Sequence, residues 1–396
     1  MRYLALLLLL SLPAWAATNR TVTVKTSGGD YTTLAAAIAA EKGDMVSLDR
    51  QLTIECYAME DTTAVSIANA DWTTDSTRYI LITVPTAERH EGVWSDSKYR
   101  LVVSTGSALQ IGNEYVHLDG LQIRSTNTAN YATSLYVGST ATTGGTVYVR
   151  NCILRGNSDS YLGGCFETYS GTFTVYFYNN LFYGADRWNG AYGFFIQTAG
   201  NYYFYNNSFA GNHTALRQSN GTIVLVNNLF TGNTNMVSGT VTLAAGTDYN
   251  RTSSAALGYT VTGAGNTHDA VSQTFSFVDA VAFNWHLAVA DAGAKDLGVS
   301  DPGSGLYSTD IDGQSRSGAW SVGMDEYPSA TRRRNAVVAQ VAPKPWDLPV
   351  IPGPAPLCES QRLFGGPGGK PVRVIICGND VRAVIEGSFD TEGRRP

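Results

Sequence analysis

This chain is short of charge. Only 15% of its 396 residues are Asp, Glu, Lys or Arg, and the formal balance is −6. That leaves no basic footprint for a nucleic acid, so no nucleic-acid partner is expected. No run of 18 or more apolar residues occurs, so no membrane span is expected either. Helix-period amphipathicity is missing from the central third, which excludes a coiled coil there. What the chain has instead is 41 Gly and 22 Tyr, the composition of a turn-rich β protein.

The centre repeats itself. Val147-Tyr-Val-Arg-Asn-Cys-Ile-Leu-Arg-Gly-Asn157 is followed by Val175-Tyr-Phe-Tyr-Asn-Asn-Leu-Phe-Tyr-Gly184, then Tyr202-Tyr-Phe-Tyr-Asn-Asn-Ser-Phe-Ala-Gly-Asn212 and Ile223-Val-Leu-Val-Asn-Asn-Leu-Phe-Thr-Gly-Asn233. Val116-His-Leu-Asp-Gly-Leu-Gln-Ile-Arg124 is a looser copy. Each unit is an alternating strand, an Asn-Asn break, a second short strand and a Gly-Asn corner. Self-similarity at a few tens of residues marks stacked coils. Strand alternation points Val175 and Phe177 one way and Tyr176 and Tyr178 the other. Asn179 suits a left-handed corner. Asn180, Asn207 and Asn228 then form an inner column that Cys152 ends, and stacked amides can satisfy one another's hydrogen bonds. Phe182, Phe209 and Phe230, with Leu154, form a second. The expectation is an all-β parallel β-helix; an antiparallel β-sandwich with Asn-Asn turns is the alternative.

Met1 to Ala16 has the layout of a secretory signal: Arg2, an apolar run from Leu4 to Leu12, and Ala14-Trp-Ala16 before cleavage after Ala16. A secreted or cell-surface protein is predicted. Asp30 or Thr32 is a candidate cap for a short helix over Leu34-Ala-Ala-Ala-Ile-Ala-Ala40, with a strand beginning at Met45. Such a helix would cover the apolar end of the stack. The run Gly28-Gly-Asp-Tyr-Thr-Thr-Leu-Ala-Ala-Ala-Ile38, then Gly43-Asp-Met-Val46, resembles the opening of pectate-lyase-like and pectinesterase-like right-handed β-helix proteins. That resemblance implies a right-handed coil and a polysaccharide substrate class. Asn284-Trp-His-Leu-Ala288, Asp310-Ile-Asp-Gly-Gln-Ser-Arg316 and Gly323-Met-Asp-Glu-Tyr327 likewise resemble the final coil of secreted bacterial β-helix proteins. The helix domain is expected over residues 17–327.

The loop Pro85-Thr-Ala-Glu-Arg-His-Glu-Gly-Val-Trp94 reads as a solvated excursion with a local ion pair. Asp310, Asp312 and Arg316 read as a structural turn in which Arg316 pairs with Asp310 or Asp312. They lack the Glu spacing of an EF-hand loop, so no metal site is assigned. Seven of the 13 prolines fall between Pro328 and Pro356, marking a linker over 328–356. Beyond it, 357–396 reads as a small β module with a hairpin at Gly378-Asn-Asp380 and a Cys358–Cys377 staple. Cys56, Cys152 and Cys165 remain, and none has the context of a catalytic nucleophile.

Function is read from one side face. Glu167, Gln197 and Gln218 are expected in one column, with Asp186, Arg187 and Trp188 projecting beside them and Tyr169 and Tyr192 adding aromatic surface. Acid, amide, guanidinium and ring are the groups that hold a sugar chain: ring faces stack, hydroxyls bond, and a cation meets uronate carboxylates. Arg217 is a second candidate cation of ambiguous parity. Glu167 and Asp186, with Arg187 as cation, are the candidate catalytic set. The resemblance implies calcium as a possible cofactor for a lyase, although no clustered Asp set is visible. Two functions therefore stand: a structural or adhesive β-helix, secreted or part of a surface or virion appendage, that binds extracellular polysaccharide or cell-surface glycan, and a lyase or glycoside hydrolase working on the same face.

Overall fold

The computed structural model describes residues 17–128, 132–138, 143–157, 163–186, 190–263 and 266–327, and the backbone of three strands beyond residue 357. The predicted signal, the Pro-rich linker, Arg187 and Trp188 lie outside the described residues. Residues up to Pro328 form one unit, and Ser329–Pro396 a second.

In the first unit the chain climbs through three parallel sheets. One has eight strands, from Thr18–Val24 to Thr222–Val226. The second also has eight, from Glu60–Asp61 to Arg251–Thr252. The third has seven, from Val65–Ile67 to Asn235–Ser238. Seven complete rungs each contribute a strand to all three sheets, and every pairing between rungs is parallel, as in Val175↔Tyr202 or Phe182↔Phe209. The arrangement fits a parallel β-helix and rules out the sandwich.

The rung follows the alternation. Val175 and Phe177 are buried in the core, while Tyr176 and Tyr178 lie on the outer face. Asn151, Asn179, Asn206 and Asn227 turn the corner at φ between 51° and 58°, the left-handed region that asparagine tolerates better than most side chains. The next asparagine turns inward. Asn180 Nδ2 donates to Asn207 Oδ1 (2.9 Å), Asn207 to Asn228 (3.1 Å) and Asn228 to Asn250 (3.0 Å), and Cys152 N closes the top by donating to Asn180 Oδ1. Asn250 extends the expected column by a rung. Each ladder amide also donates to a backbone carbonyl, such as Asn207 Nδ2 to Phe177 O, so the buried amides are satisfied. Phe182, Phe209 and Phe230 stack at 4.6 and 4.9 Å, an arrangement that adds about 0.5–1.5 kcal/mol per pair to burial.

The N-terminal end is covered by the α-helix Leu34–Glu41, whose Leu34, Ala37 and Ile38 are buried. Its caps differ from expectation. Thr33 Oγ1 accepts from Ala36 N, and Asp61 Oδ2 accepts from Leu34 N, whereas Asp30 bonds Thr23. Gly43–Asp44 is a two-residue strand and Met45 opens a turn instead of a strand, so the next long strand begins only at Arg50.

The larger correction concerns the tail. Residues 275–327 do not add a rung. Phe277–Asp279 pairs antiparallel with Asn284–Leu287, and the segment runs back over earlier rungs as a strap. It lies on the corner asparagines: Asn179 Nδ2 donates to Thr309 O, Asn206 to Ser321 O and Gly323 O, and Asn227 to Val299 O. Ile311 and Met324 pack on Ile153, Leu181, Tyr183 and Ala210 of the second sheet, and Tyr307 and Trp320 on Tyr178 and Tyr205. Arg316 does not pair with Asp310 or Asp312. Its Nη1 meets Glu326 at 3.1 Å, and Nη2 donates to Asn179 Oδ1. Asp310 instead accepts from the amides of Asp312, Gln314 and Glu326, and so shapes the turn.

The 85–94 excursion is likewise drawn in under the strap. Arg89 pairs with Asp119 at 2.7 Å, and His90 is buried with Nε2 2.9 Å from Asn151 O. Burial depresses the His90 pKa to about 4, so it is neutral at physiological pH.

In the second unit, Cys358–Leu363, Val372–Cys377 and Asp380–Val384 pair antiparallel in that order, with Cys358 and Cys377 at facing register positions.

Candidate functional site

The third sheet carries the candidate site, because the apolar contacts of the strap fall on the first and second sheets and the corner between them. Phe166, Phe194 and Leu216 are core residues in register, so the residues that follow them face outward. The outward row reads Gln110, Tyr136, Glu167, Phe195, Arg217 and Ser238. This corrects the expected column. Glu167 is level with Phe195 and Arg217, not with Gln197 and Gln218, and the parity of Arg217 is outward.

Gln197 still reaches Glu167. Its Nε2 donates to Glu167 Oε1 at 2.5 Å, and its own amide nitrogen is fixed by Thr168 Oγ1. Gln218 has the parity of the core residue Ile196, and its amide is spent on Gly221 O and Thr242 N. It belongs to the turn. The guanidinium of Arg217 lies 4.2 Å from the ring centre of Phe195 and 5.5 Å from that of Tyr192, within cation–π range. Among the described residues, no carboxylate forms an ion pair with it.

Glu167 is 2% exposed. Burial raises its pKa to about 8, opposed by the Gln197 hydrogen bond and the charge of Arg217. Its Oε2 has neither solvent nor a hydrogen-bond partner. At neutral pH the side chain is therefore largely an uncharged acid, and Arg217 keeps an uncompensated charge.

The structure brings Glu167, Gln197 and Arg217 together but leaves Asp186 apart. Asp186 is exposed and shares no hydrogen bond or ion pair with them among the described residues. Tyr169 is 68% exposed at the end of the strand, whereas Tyr192 is buried beside Phe195. One neutral carboxyl, one amide and one guanidinium do not fit calcium, which takes six to eight oxygens.

Sequence reasoning missed Phe195, the platform for Arg217, and Tyr136, which precedes Glu167 in the row. Their alternation with core residues was the available signal. The first sheet carries another row that was missed: Tyr148, Tyr176 and Tyr203 stack at 5.1 and 4.8 Å and line a 380 Å³ groove against Pro302–Leu306. Those ring faces are occupied by one another, so the groove presents ring edges and hydroxyls.

No family profile matches this chain, and no curated protein matches it. The site has to be read from its own chemistry.

Proposed function

We propose that this is a secreted or surface-exposed right-handed β-helix protein that binds an acidic polysaccharide across its third sheet, in a structural or adhesive role. The observation that carries the reading is Arg217, half-buried on the Phe195 ring and without a counter-charge at neutral pH. A guanidinium seated on an aromatic ring, its Nη1 donating to Tyr192 Oη and with no carboxylate beside it in an ion pair, suits a uronate carboxylate, because its planar fork meets both oxygens. Tyr169 supplies an exposed ring for stacking on a sugar face.

The test is retention of the protein on immobilised polyuronate compared with a neutral glucan. Binding to the acidic polymer is expected, weakening with salt, and falling at least about tenfold (1.4 kcal/mol) in Arg217→Ala while secondary structure is unchanged. Equal affinity for the neutral glucan, or an Arg217→Ala variant that binds as well as the parent, overturns the proposal.

A second reading, a lyase or hydrolase on the same face, is favoured by the raised pKa of Glu167, which is that of a general acid. The sealed Oε2 weighs against it, since the acid must reach the glycosidic oxygen. Release of reducing or unsaturated ends from a polyuronate, abolished by Glu167→Gln, would establish the enzymatic reading in place of the adhesive one.

A further inference from the structure

The strap holds a polar cluster that the glycan face does not use. His286, Asp312 and Asp325 offer ligand atoms that all lie within 4.8 Å of one another. His286 comes from the strand Asn284–Leu287, Asp312 from the turn that Asp310 organises, and Asp325 from the last residues of the strap. Each is held in place. Asn284 Oδ1 lies 2.6 Å from His286 Nδ1 and accepts its proton, which turns Nε2 toward the two carboxylates. This is the outer-shell hydrogen bond that orients a metal-binding imidazole. Asp325 Oδ2 accepts from Leu287 N at 2.7 Å, fixing the carboxylate against the same strand.

Two independent observations ask for a cation. His286 Nε2 and Asp312 Oδ1 are both cut off from water with no hydrogen-bond partner. Nε2 does lie 3.0 Å from Asp312 Oδ2, but off the line an N–H would need. Buried polar atoms left in this way are costly. Charge is also out of balance. Arg316 is committed to Glu326, so the buried Asp325, with Asp312, faces His286 as its cationic neighbour. Uncompensated buried charge is expensive, and a dication would offset it.

We propose that His286, Asp312 and Asp325 bind one divalent transition-metal cation of the zinc class, which locks the three segments of the strap together. One imidazole and two carboxylates are a three-ligand nitrogen–oxygen set that suits zinc, with a fourth position left for water. The same set supplies too few oxygens for calcium. Gly92, from the 85–94 excursion, closes the site: a Cβ there would collide with His286 Nε2 and come within 3.0 Å of Asp312 Oδ1.

The experiment is calorimetric titration of the chelator-treated full chain with zinc chloride and, separately, calcium chloride. The readouts are stoichiometry and the rate of proteolysis within residues 275–327. One equivalent of zinc is expected to bind, to raise the melting temperature and to slow cleavage of the strap, with calcium at least about a hundredfold weaker. His286→Ala and Asp312→Asn should each abolish the saturable site, and His268→Ala, on the exposed Asp248–His268 pair, should leave it intact. If His286→Ala fails to fold, Asp312→Asn alone decides, because an amide keeps the shape and loses the charge. Absence of saturable zinc binding, binding that survives both variants, binding lost in His268→Ala, or a preference for calcium each overturns the proposal.

Discussion

Replacing Glu167 with glutamine should change how the stability of this protein depends on pH. In the native state burial lifts the Glu167 pKa to about 8, whereas in the unfolded chain it takes its ordinary value near 4.5. Between these values the folded protein holds a proton that the unfolded chain has released. Stability therefore falls as pH rises through this window, and the loss is complete above the folded pKa. A gap of about 3.5 units at about 1.4 kcal/mol per unit gives a cost on the order of 5 kcal/mol. The amide of Glu167→Gln cannot ionise, keeps the shape and can still accept from Gln197, so the variant escapes that cost. The assay is urea unfolding of both proteins, followed by tryptophan fluorescence, from below pH 4.5 to above pH 8. The difference, variant minus parent, should climb in favour of the variant across the window, and all other titrating groups cancel from it. Two parallel curves would refute the reasoning and show that Glu167 already ionises normally in the folded state.

Asn207→Ala removes the acceptor for Asn180 N and for one Nδ2 hydrogen from the middle of the ladder, leaving two buried N–H groups unpaired while Val149 O keeps the other Nδ2 hydrogen. At about 1–3 kcal/mol each this should cost roughly 2–6 kcal/mol in urea unfolding. Asn206 has φ 51° and holds the strap through Ser321 O and Gly323 O. Asn206→Gly and Asn206→Ala should both speed proteolysis of the strap, and Ala should be less stable than Gly by about 1–2 kcal/mol because it is strained in that conformation. Burial raises the thiol of Cys152 to about 12, and those of Cys56 and Cys165 higher still. Alkylation mapped by mass spectrometry should leave all three unmodified in the native protein and label them after denaturation.

The rungs are legible because their signals are local and repeated. Asn179 and Asn206 turn corners, and Phe182 and Phe209 fill the core, for reasons contained in a few neighbouring residues. The strap is not legible because its partners are far away and mostly backbone carbonyls: Asn206 meets residues 115 and 117 positions on, and Asn179 meets one 130 on. A carbonyl leaves no mark in the sequence, so the tail looks like one more rung. The candidate site is legible in part. The residue types Glu167, Gln197 and Arg217 were found, but the register between rungs is set by the inward residues Phe166, Phe194 and Leu216. Alignment by turns therefore misplaced Gln218. Tyr178, which strand alternation points outward, lies beneath the strap because the strap itself is not legible.

Rungs that touch only their neighbours can peel away one after another from a loose end. The returning tail alters that order of events. It reaches from Val299 on Asn227 to Thr309 on Asn179, so the lower rungs cannot leave while the upper ones keep their grip on it. The ladder is thereby bolted across the rungs from Asn179 to Asn227, and the segment that follows the rungs in sequence has to let go before they can peel.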